Sequence, residues 1–578
     1  MLKERRSWRG RRGNVLILVA LVLPLLVGLV GLAIDGTMCY IVQTEISAAV
    51  DGASLGTGRM LTAITTNAQA TAVATDYLNA NFRQGTPGFW GSYSLGSQIV
   101  PDVSGTTKTV KVTAWVTVPL LFMRIFGKTN ALVGATGTAS RRDVRVEFII
   151  DRSGSMHTTK DPITGQYPID ELKGDVQNFI KQFTPGHDEM GLIAFSGSAV
   201  VGYPTTPWGS PLSVVGGGGP DTSFCPSLGN CGTSSTDMYS QVGNITAGNG
   251  TGMGEALALA YIEMQKAHVR DAAANKGIDN RANVIVLFTD GVPSAVSTYL
   301  NQPSNPVIDA GTIASGHSGC TYATDDGSHP MYGYIVWTGS PSYWGATVYT
   351  LAQLANRDSA AGSSVWWMSQ PLFDQTLTPI STPNKITPFG GFAGCDATGW
   401  SNQSNLKAVP SKDAYGYPLT PSTDSGGGVK GYMLSNIIGG SGGTSVYETA
   451  HGDFSPAGNQ SQGYQWGLAG WDEVDNTSIA IRTDANFANR VALGDTSNIP
   501  LKITIMTIGY TGNGGTDAGL LTKIANVSGC SVKNPFGTTL SCVQPLPQQP
   551  GTFIPASNSS ELSNAMSTIL GLILRLSQ

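Results

Sequence analysis

Residues 144–156 read VRVEFIIDRSGSM, an apolar run fit for a buried strand that breaks abruptly into Asp151, Ser153 and Ser155. Acids and serines at a strand end make ordinary turns, so the stretch means more only if the chain supplies partners for these oxygens. It supplies two. NVIVLFTDG, residues 283–291, is a second buried-type run ending in an acid, with Asp290 in the position that Asp151 takes in the first. NGTGMGEALALAYIEMQKA, residues 249–267, opens a helix around Thr251 after a Gly-rich loop. In an open parallel sheet the carboxyl ends of the strands share one edge, and ligands bind in the crevice there. Both acids and the threonine therefore converge on one rim.

The surrounding segments complete the sheet. PIDELKGDVQNFIKQF places Leu172, Val176, Phe179, Ile180 and Phe183 on one helical face. MGLIAFSG reads as the next strand, AVVGY as a short antiparallel edge and PLKITIMTIGY as a strongly buried strand. SIAIRTDANFANRV, GLLTKIANV and SELSNAMSTILGLILRL read as helices, with GTFIPA a short strand before the last of them. Strand and helix alternate, which predicts an α/β, doubly wound, mostly parallel sheet.

One carboxylate, two hydroxyls one residue apart and a further hydroxyl form an all-oxygen donor set. Without Cys or His, such a set suits Mg2+ or another hard divalent cation such as Ca2+ or Mn2+, rather than zinc or iron. Asp-x-Ser-x-Ser, a later Thr, and Thr-Asp-Gly after a buried strand resemble the metal-ion-dependent adhesion site of von Willebrand factor A domains. The resemblance implies that Asp151, Ser153, Ser155 and Thr251 bind the cation directly or through water, and that Asp290 holds a coordinating water. It also implies an open coordination position that a protein partner's Asp or Glu fills.

The N-terminus carries Lys3, Arg5, Arg6, Arg9, Arg11 and Arg12 against Glu4, and then NVLILVALVLPLLVGLVGLAI runs uncharged from 14 to 34. That length spans a bilayer core as a helix. Basic residues before it, with Asp35, Glu45 and Asp51 after it, predict a cytoplasmic N-terminus and an extracytoplasmic bulk. A cleaved signal peptide is the alternative, but its apolar region is shorter and ends at a small-residue site. Helix-compatible sequence continues to about Phe82, predicting one long helix, and TVKVTAWVTVPLLFM then alternates Val110, Val112, Ala114, Val116 and Val118 on one strand face. ALVGATGTAS reads as a further strand of the same small head.

Arg-Arg-Gly-Asn, the apolar span, Gly-Leu-Ala-Ile-Asp and the Gln…Ala…Asp-Gly-Ala stretch, over residues 11–60, resemble the N-terminal segment of TadE/TadG-like proteins of the Flp (tight adherence) pilus apparatus. True prepilins of that system carry Glu five residues beyond the cleavage glycine. Here Leu18 stands in that place after Gly13, so a retained anchor of the TadG-like kind is expected.

Seven cysteines suit an exported protein. Cys39 lies at the edge of the span, and none of the other six has CxxC or zinc-site spacing. Proximity suggests Cys225–Cys231 and Cys530–Cys542, leaving Cys320–Cys395. The expected organisation is a cytoplasmic basic segment (1–13), a transmembrane helix (14–34), a pilin-like helix with a strand-rich head (35–142), and an A domain (143–293 and 476–578) interrupted by an insertion (294–475). The insertion holds seven of the 11 Trp, and most of them are expected to form its own core. Its acidic clusters ATDDGS (323–328) and WDEVDN (471–476) read as solvated turns.

The net charge of −5, with no basic stripe past the N-terminus, argues against nucleic-acid binding. No His-Glu-x-x-His or phosphate loop is present, and neither Ser153 nor Ser155 has a base nearby in sequence. The expectation is a non-enzymatic, single-pass inner-membrane protein of pilus assembly that binds an acidic residue of a protein partner, such as a minor pilin, through the cation. The alternative is a pilus-displayed adhesin whose A domain and insertion meet a surface ligand.

Overall fold

The computed structural model describes residues 12–61, 66–82, 94–103, 107–197, 199–204, 219–248, 250–274, 279–299, 332–340, 343–350, 367–368, 413, 415–419, 462–492, 495–512, 515–533, 539–542 and 548–576. The chain divides between Arg142 and Asp143 into two units.

In the first unit helix α1 (Arg12–Met60) is 49 residues long with Pro24 inside it, about 73 Å at 1.5 Å per residue. Leu18, Leu21, Leu25 and Val30 of its first half are more than half exposed, the reverse of what water tolerates over such a length. Among the described residues this one helix is long and apolar enough to cross a membrane. In its second half Val42, Ile46, Ala49, Val50 and Ala53 are buried. They pack on strands β1 (Leu95–Asp102), β2 (Thr107–Pro119) and β3 (Asn130–Arg142), which form an antiparallel sheet in that order. Val110, Val112, Ala114, Val116 and Val118 of β2 are all fully buried on one face, as their alternation requires.

The N-terminal helix does not continue to Phe82 as one element, and α1 ends at Met60. A separate helix α2 (Asn67–Asn81) begins at Thr66, whose hydroxyl accepts the Gln69 N–H at 3.3 Å as an N-cap. It lies back along α1: a Cβ on Gly52 would stand 3.2 Å from Asn81, and one on Gly56 3.0 Å from the Tyr77 ring. The two glycines four residues apart make the groove in which α2 sits antiparallel.

The second unit opens with β4 (Val144–Asp151), α3 (Pro168–Ile180), β5 (Glu189–Phe195), β6 (Ala199–Tyr203), α4 (Met238–Gly243), α5 (Met253–Ala274) and β7 (Ala282–Thr289). Next come β8 (Ala295–Tyr299), β9 (Tyr332–Ser340), β10 (Tyr343–Thr350), the two-residue β11 (Trp367–Met368), α6 (Gln462–Thr483) and α7 (Phe487–Ala492). The chain closes with β12 (Ile503–Tyr510), α8 (Ala518–Ile524), β13 (Ser531–Lys533), β14 (Thr539–Ser541), β15 (Thr552–Ala556) and α9 (Ser559–Leu576). The main sheet has the order β11-β6-β5-β4-β7-β12-β15. Pairings from β5 through β15 are parallel, and those of β6 with β5 and β11 are antiparallel.

Helices cover both faces, as parallel sheets demand. Even-numbered residues of β4 (Val146, Phe148, Ile150) join the core under α3, α4 and α9, while Ile149 joins the one under α5, α6 and α8. The chain leaves β4 toward β5 on one side and later returns to β7 on the other, so β4 lies at the topological switch point where ligands bind.

Of the insertion, β10, β9 and β8 form a separate antiparallel sheet in that order, and β11 extends the main sheet beyond β6. AVVGY is therefore not the outermost strand. Tyr415, Tyr417 and Leu419 are buried in the main core. WDEVDN differs from its reading as a solvated turn, because it lies inside α6 with Trp471, Asp472, Glu473 and Asp475 buried. Of these acids Asp475 pairs through Oδ1 with Lys523 Nζ at 3.3 Å, while burial, with the Asp475 charge added, pushes the Asp472 carboxyl well up. The boundary expected at 475/476 thus falls within a core helix. Disulfides join Cys225 to Cys231 and Cys530 to Cys542. Cys320, Cys395, ATDDGS and the basic residues before Arg12 lie outside the described residues.

Candidate functional site

The rim is built from the carboxyl ends of β4, β5 and β7 and from the loop before α5. β4 ends on Asp151, whose buried carboxylate turns the chain: Oδ1 accepts the Ser153 N–H at 2.7 Å, and a 3-10 turn follows over Gly154–His157. Oδ2 accepts the Thr289 hydroxyl at 2.5 Å, fixing the end of β4 to the end of β7. The Arg152 N–H donates to the Phe195 carbonyl at 2.8 Å, and so ties in β5.

Ser153 Oγ and Ser155 Oγ stand 2.9 Å apart. Ser155 Oγ donates to Asp290 Oδ1 at 2.7 Å, and Ser153 Oγ to the same oxygen at 3.4 Å. Asp151, Ser153, Ser155 and Asp290, separated by up to 139 positions in sequence, thus form one cluster.

Thr251 joins them through the segment after Asp290. Its N–H donates to Ser294 Oγ at 2.9 Å, and its carbonyl accepts the Ser294 N–H at 2.9 Å. Its hydroxyl oxygen lies 3.1 Å from where a Cβ on Gly291 would stand, so glycine after Asp290 lets the threonine approach. Gly252 is required in the same way. Its N–H donates to the Ser196 carbonyl at 2.5 Å, and a Cβ there would meet the Gly197 carbonyl oxygen at 2.6 Å.

Burial pushes the Asp151 carboxyl up, and the neighbouring Asp290 charge pushes it further. Hydrogen bonds from Thr289 and Ser153 oppose the rise, and the balance lies at about 7. Two acids that repel each other in a desolvated crevice stabilise any cation placed between them. The hydroxyls are oriented to match: Ser155 directs its proton at Asp290, which leaves its oxygen lone pairs for a cation. Among the described residues no group of three or more His, Cys, Asp or Glu is placed to hold a metal. The donors gathered at the rim are carboxylates and hydroxyls, all hard oxygens. His157 stacks on Tyr167 with ring centroids 3.7 Å apart.

Sequence reasoning gave no role to Thr289, Ser196 or Ser294. Thr289 carried a readable signal, since it precedes the acid in Thr-Asp-Gly. The other two act through a backbone carbonyl and a loop hydroxyl, for which sequence offers none.

Two family models match the chain. Residues 13–60 match the putative Flp pilus-assembly TadE/G-like family, and residues 146–292 match the von Willebrand factor type A domain. No curated protein matches. Among solved structures, the PilB minor pilin from Streptococcus sanguinis is 13% identical, with a TM-score of 0.30, over 84% of this chain and 79% of that one. The vWF domain of the type V pili tip protein Mfa5 from Porphyromonas gingivalis is 13% identical, with a TM-score of 0.28, over 76% of this chain and 97% of that one. The pilus adhesin SpaC from Lactobacillus rhamnosus GG is 11% identical, with a TM-score of 0.28, over 86% of this chain and 36% of that one. At these scores the structural likenesses carry no weight of their own, and the family models with the apolar helix decide. They support a membrane-anchored, pilus-associated extracytoplasmic protein. With a TadE/G-like segment at its N-terminus and a von Willebrand factor type A domain behind it, the chain is TadG-like.

Proposed function

We propose that the protein is an inner-membrane component of Flp/Tad-type pilus assembly whose A domain binds an acidic residue of a protein partner through a divalent cation, Mg2+ in the first instance. The supporting observation is the convergence of Asp151, Ser153, Ser155 and Asp290 at the switch point of the sheet, with Thr251 beside them. Asp151, Ser153, Ser155 and Thr251 would hold the ion directly or through water, and Asp290 would hold one of its waters. The bound ion would supply an electrophilic position for a partner's carboxylate. This is a binding reaction and not an enzymatic one. In this reading the N-terminus is cytoplasmic, with the basic residues before the span on that side, and the bulk of the chain is periplasmic. Minor pilins are the first partners to try.

The test is thermal unfolding of the detergent-solubilised protein against Mg2+ and Mn2+, with Asp151→Ala alongside. An ion at about a hundred times its dissociation constant stabilises the native state by about 2.7 kcal/mol. The expected result is a rise in melting temperature with the wild type that is absent from the variant. Equal responses of the two proteins would overturn the cation site. In a pull-down from envelope extract, the partner should be lost both with Asp151→Ala and after chelation. Recovery of the protein with sheared fibres, and not in the inner membrane, would favour an adhesin.

A further inference from the structure

The turn between β2 and β3 lies beside the membrane-spanning part of α1. Leu121 and Phe126 are exposed there, and Ile125, at 78%, is among the most exposed large apolar residues of the described chain. Three features fix this tip against the helix. A Cβ on Gly31 would stand 2.6 Å from Phe122, and one on Gly28 would be 4.0 Å from the Phe126 ring. Asp35, buried, accepts the backbone N–H groups of Leu121, Phe122 and Met123 at 3.0, 3.0 and 2.8 Å. Gly127, at φ +80°, closes the turn in a conformation that glycine adopts without strain.

The uncharged run ends at residue 34. Gly31 and Gly28 are therefore about 5 and 9 Å below its upper end at 1.5 Å per residue. Whatever touches the helix at those glycines lies below the membrane surface with them.

We propose that the β2–β3 turn is a second membrane element, seated in the leaflet through which α1 emerges, with Ile125 and Phe126 among lipid chains. The chemistry agrees at each residue. Backbone N–H groups without partners are costly in hydrocarbon; here Asp35 accepts those of Leu121, Phe122 and Met123, and the carbonyls of Phe122, Arg124 and Met123 accept those of Ile125, Gly127 and Lys128. Arg124 and Lys128, exposed on either side of the apolar pair, reach back to headgroup phosphates as long cationic side chains do at interfaces. Apolar residues flanked by cations are the composition of interfacial anchors. The turn fixes the depth and rotation of the head on the bilayer, which a lone helix leaves free.

The inference rests on α1 spanning the bilayer, and the experiment separates the two. The full chain, in a Cys39→Ser background that corrects for residual labelling, is reconstituted in phosphatidylethanolamine–phosphatidylglycerol vesicles. An environment-sensitive fluorophore is attached at Leu21→Cys, Ile125→Cys or Lys111→Cys. Lys111 is exposed and lies far along β2 from the turn. The expected result is that acyl-brominated lipid quenches the probes at 21 and 125 strongly, and aqueous iodide quenches only the one at 111. Lipid contact at 21 with iodide quenching at 125 would overturn the turn's insertion alone. Shielding of residue 125 from both quenchers would also overturn it, in favour of a protein partner. Iodide access at 21 would overturn the anchor, and the turn with it.

Discussion

Arg145 lies at the other end of β4 from Asp151, fully buried among three carboxylates. Its Nε donates to Glu189 Oε2 at 2.6 Å, its Nη1 to Asp279 Oδ2 at 2.8 Å, and its Nη2 to Asp271. Arg270 and Arg281 add two more cations to the same acids, so three positive charges meet three negative ones. Removing a member of a buried charge network strands its partners, at about 3–5 kcal/mol. Arg145→Met should therefore lower the melting temperature steeply in calorimetry, while a variant of exposed Lys111 should not. Burial opposes ionisation of Asp271, but the charges of Arg145 and Arg281 and hydrogen bonding from Arg270 hold it down to about 2. Its folded pKa lies below the unfolded value of about 4, so its stabilisation is present at neutral pH and lost as pH falls from about 4 through 2. Melting temperatures measured at pH 5 and pH 2.5 should differ more for the wild type than for Asp271→Asn. At the rim, Gly252→Ala sets a methyl against the Gly197 carbonyl. It should abolish the Mg2+-dependent rise in melting temperature while leaving the circular dichroism spectrum unchanged.

Elements were legible where one physical requirement governed them. The alternation of β2 was readable because five apolar positions face one way. The acids at the ends of β4 and β7 were readable because an apolar run stops at each of them. The break after α1 was hidden by alanine-rich sequence that favours helix on both sides of it. The acids of α6 misled for another reason: burial of charge is so rare that WDEVDN reads as surface, and its counter-charge Lys523 lies 48 positions away. The near disulfides followed from spacing alone. Cys530–Cys542 encloses β13 and β14, and closing so short a loop stabilises by about 3 kcal/mol on chain-entropy grounds. Cys530→Ser should lower the melting temperature accordingly, and should leave the Mg2+ response intact because β13 and β14 belong to neither Asp151 nor Asp290.

At the scale of the molecule, the second unit contains both faces of its sheet and two complete cores, so it has what a domain needs to fold by itself. Residues 143–578 expressed without the anchor should be soluble, should show mixed α/β circular dichroism and should keep the Mg2+-dependent melting shift. Aggregation of this fragment would mean that the first unit contributes to its folding.

Asp151 ends β4 and Asp290 follows β7, and these two strands are parallel neighbours at the centre of the main sheet. Traction on a ligand held at that rim would run along both strands. Their seven paired positions, from Val144–Ala282 to Ile150–Phe288, would then take the strain together in shear and not open one after another. Within the second unit, the rim is a mount for tension.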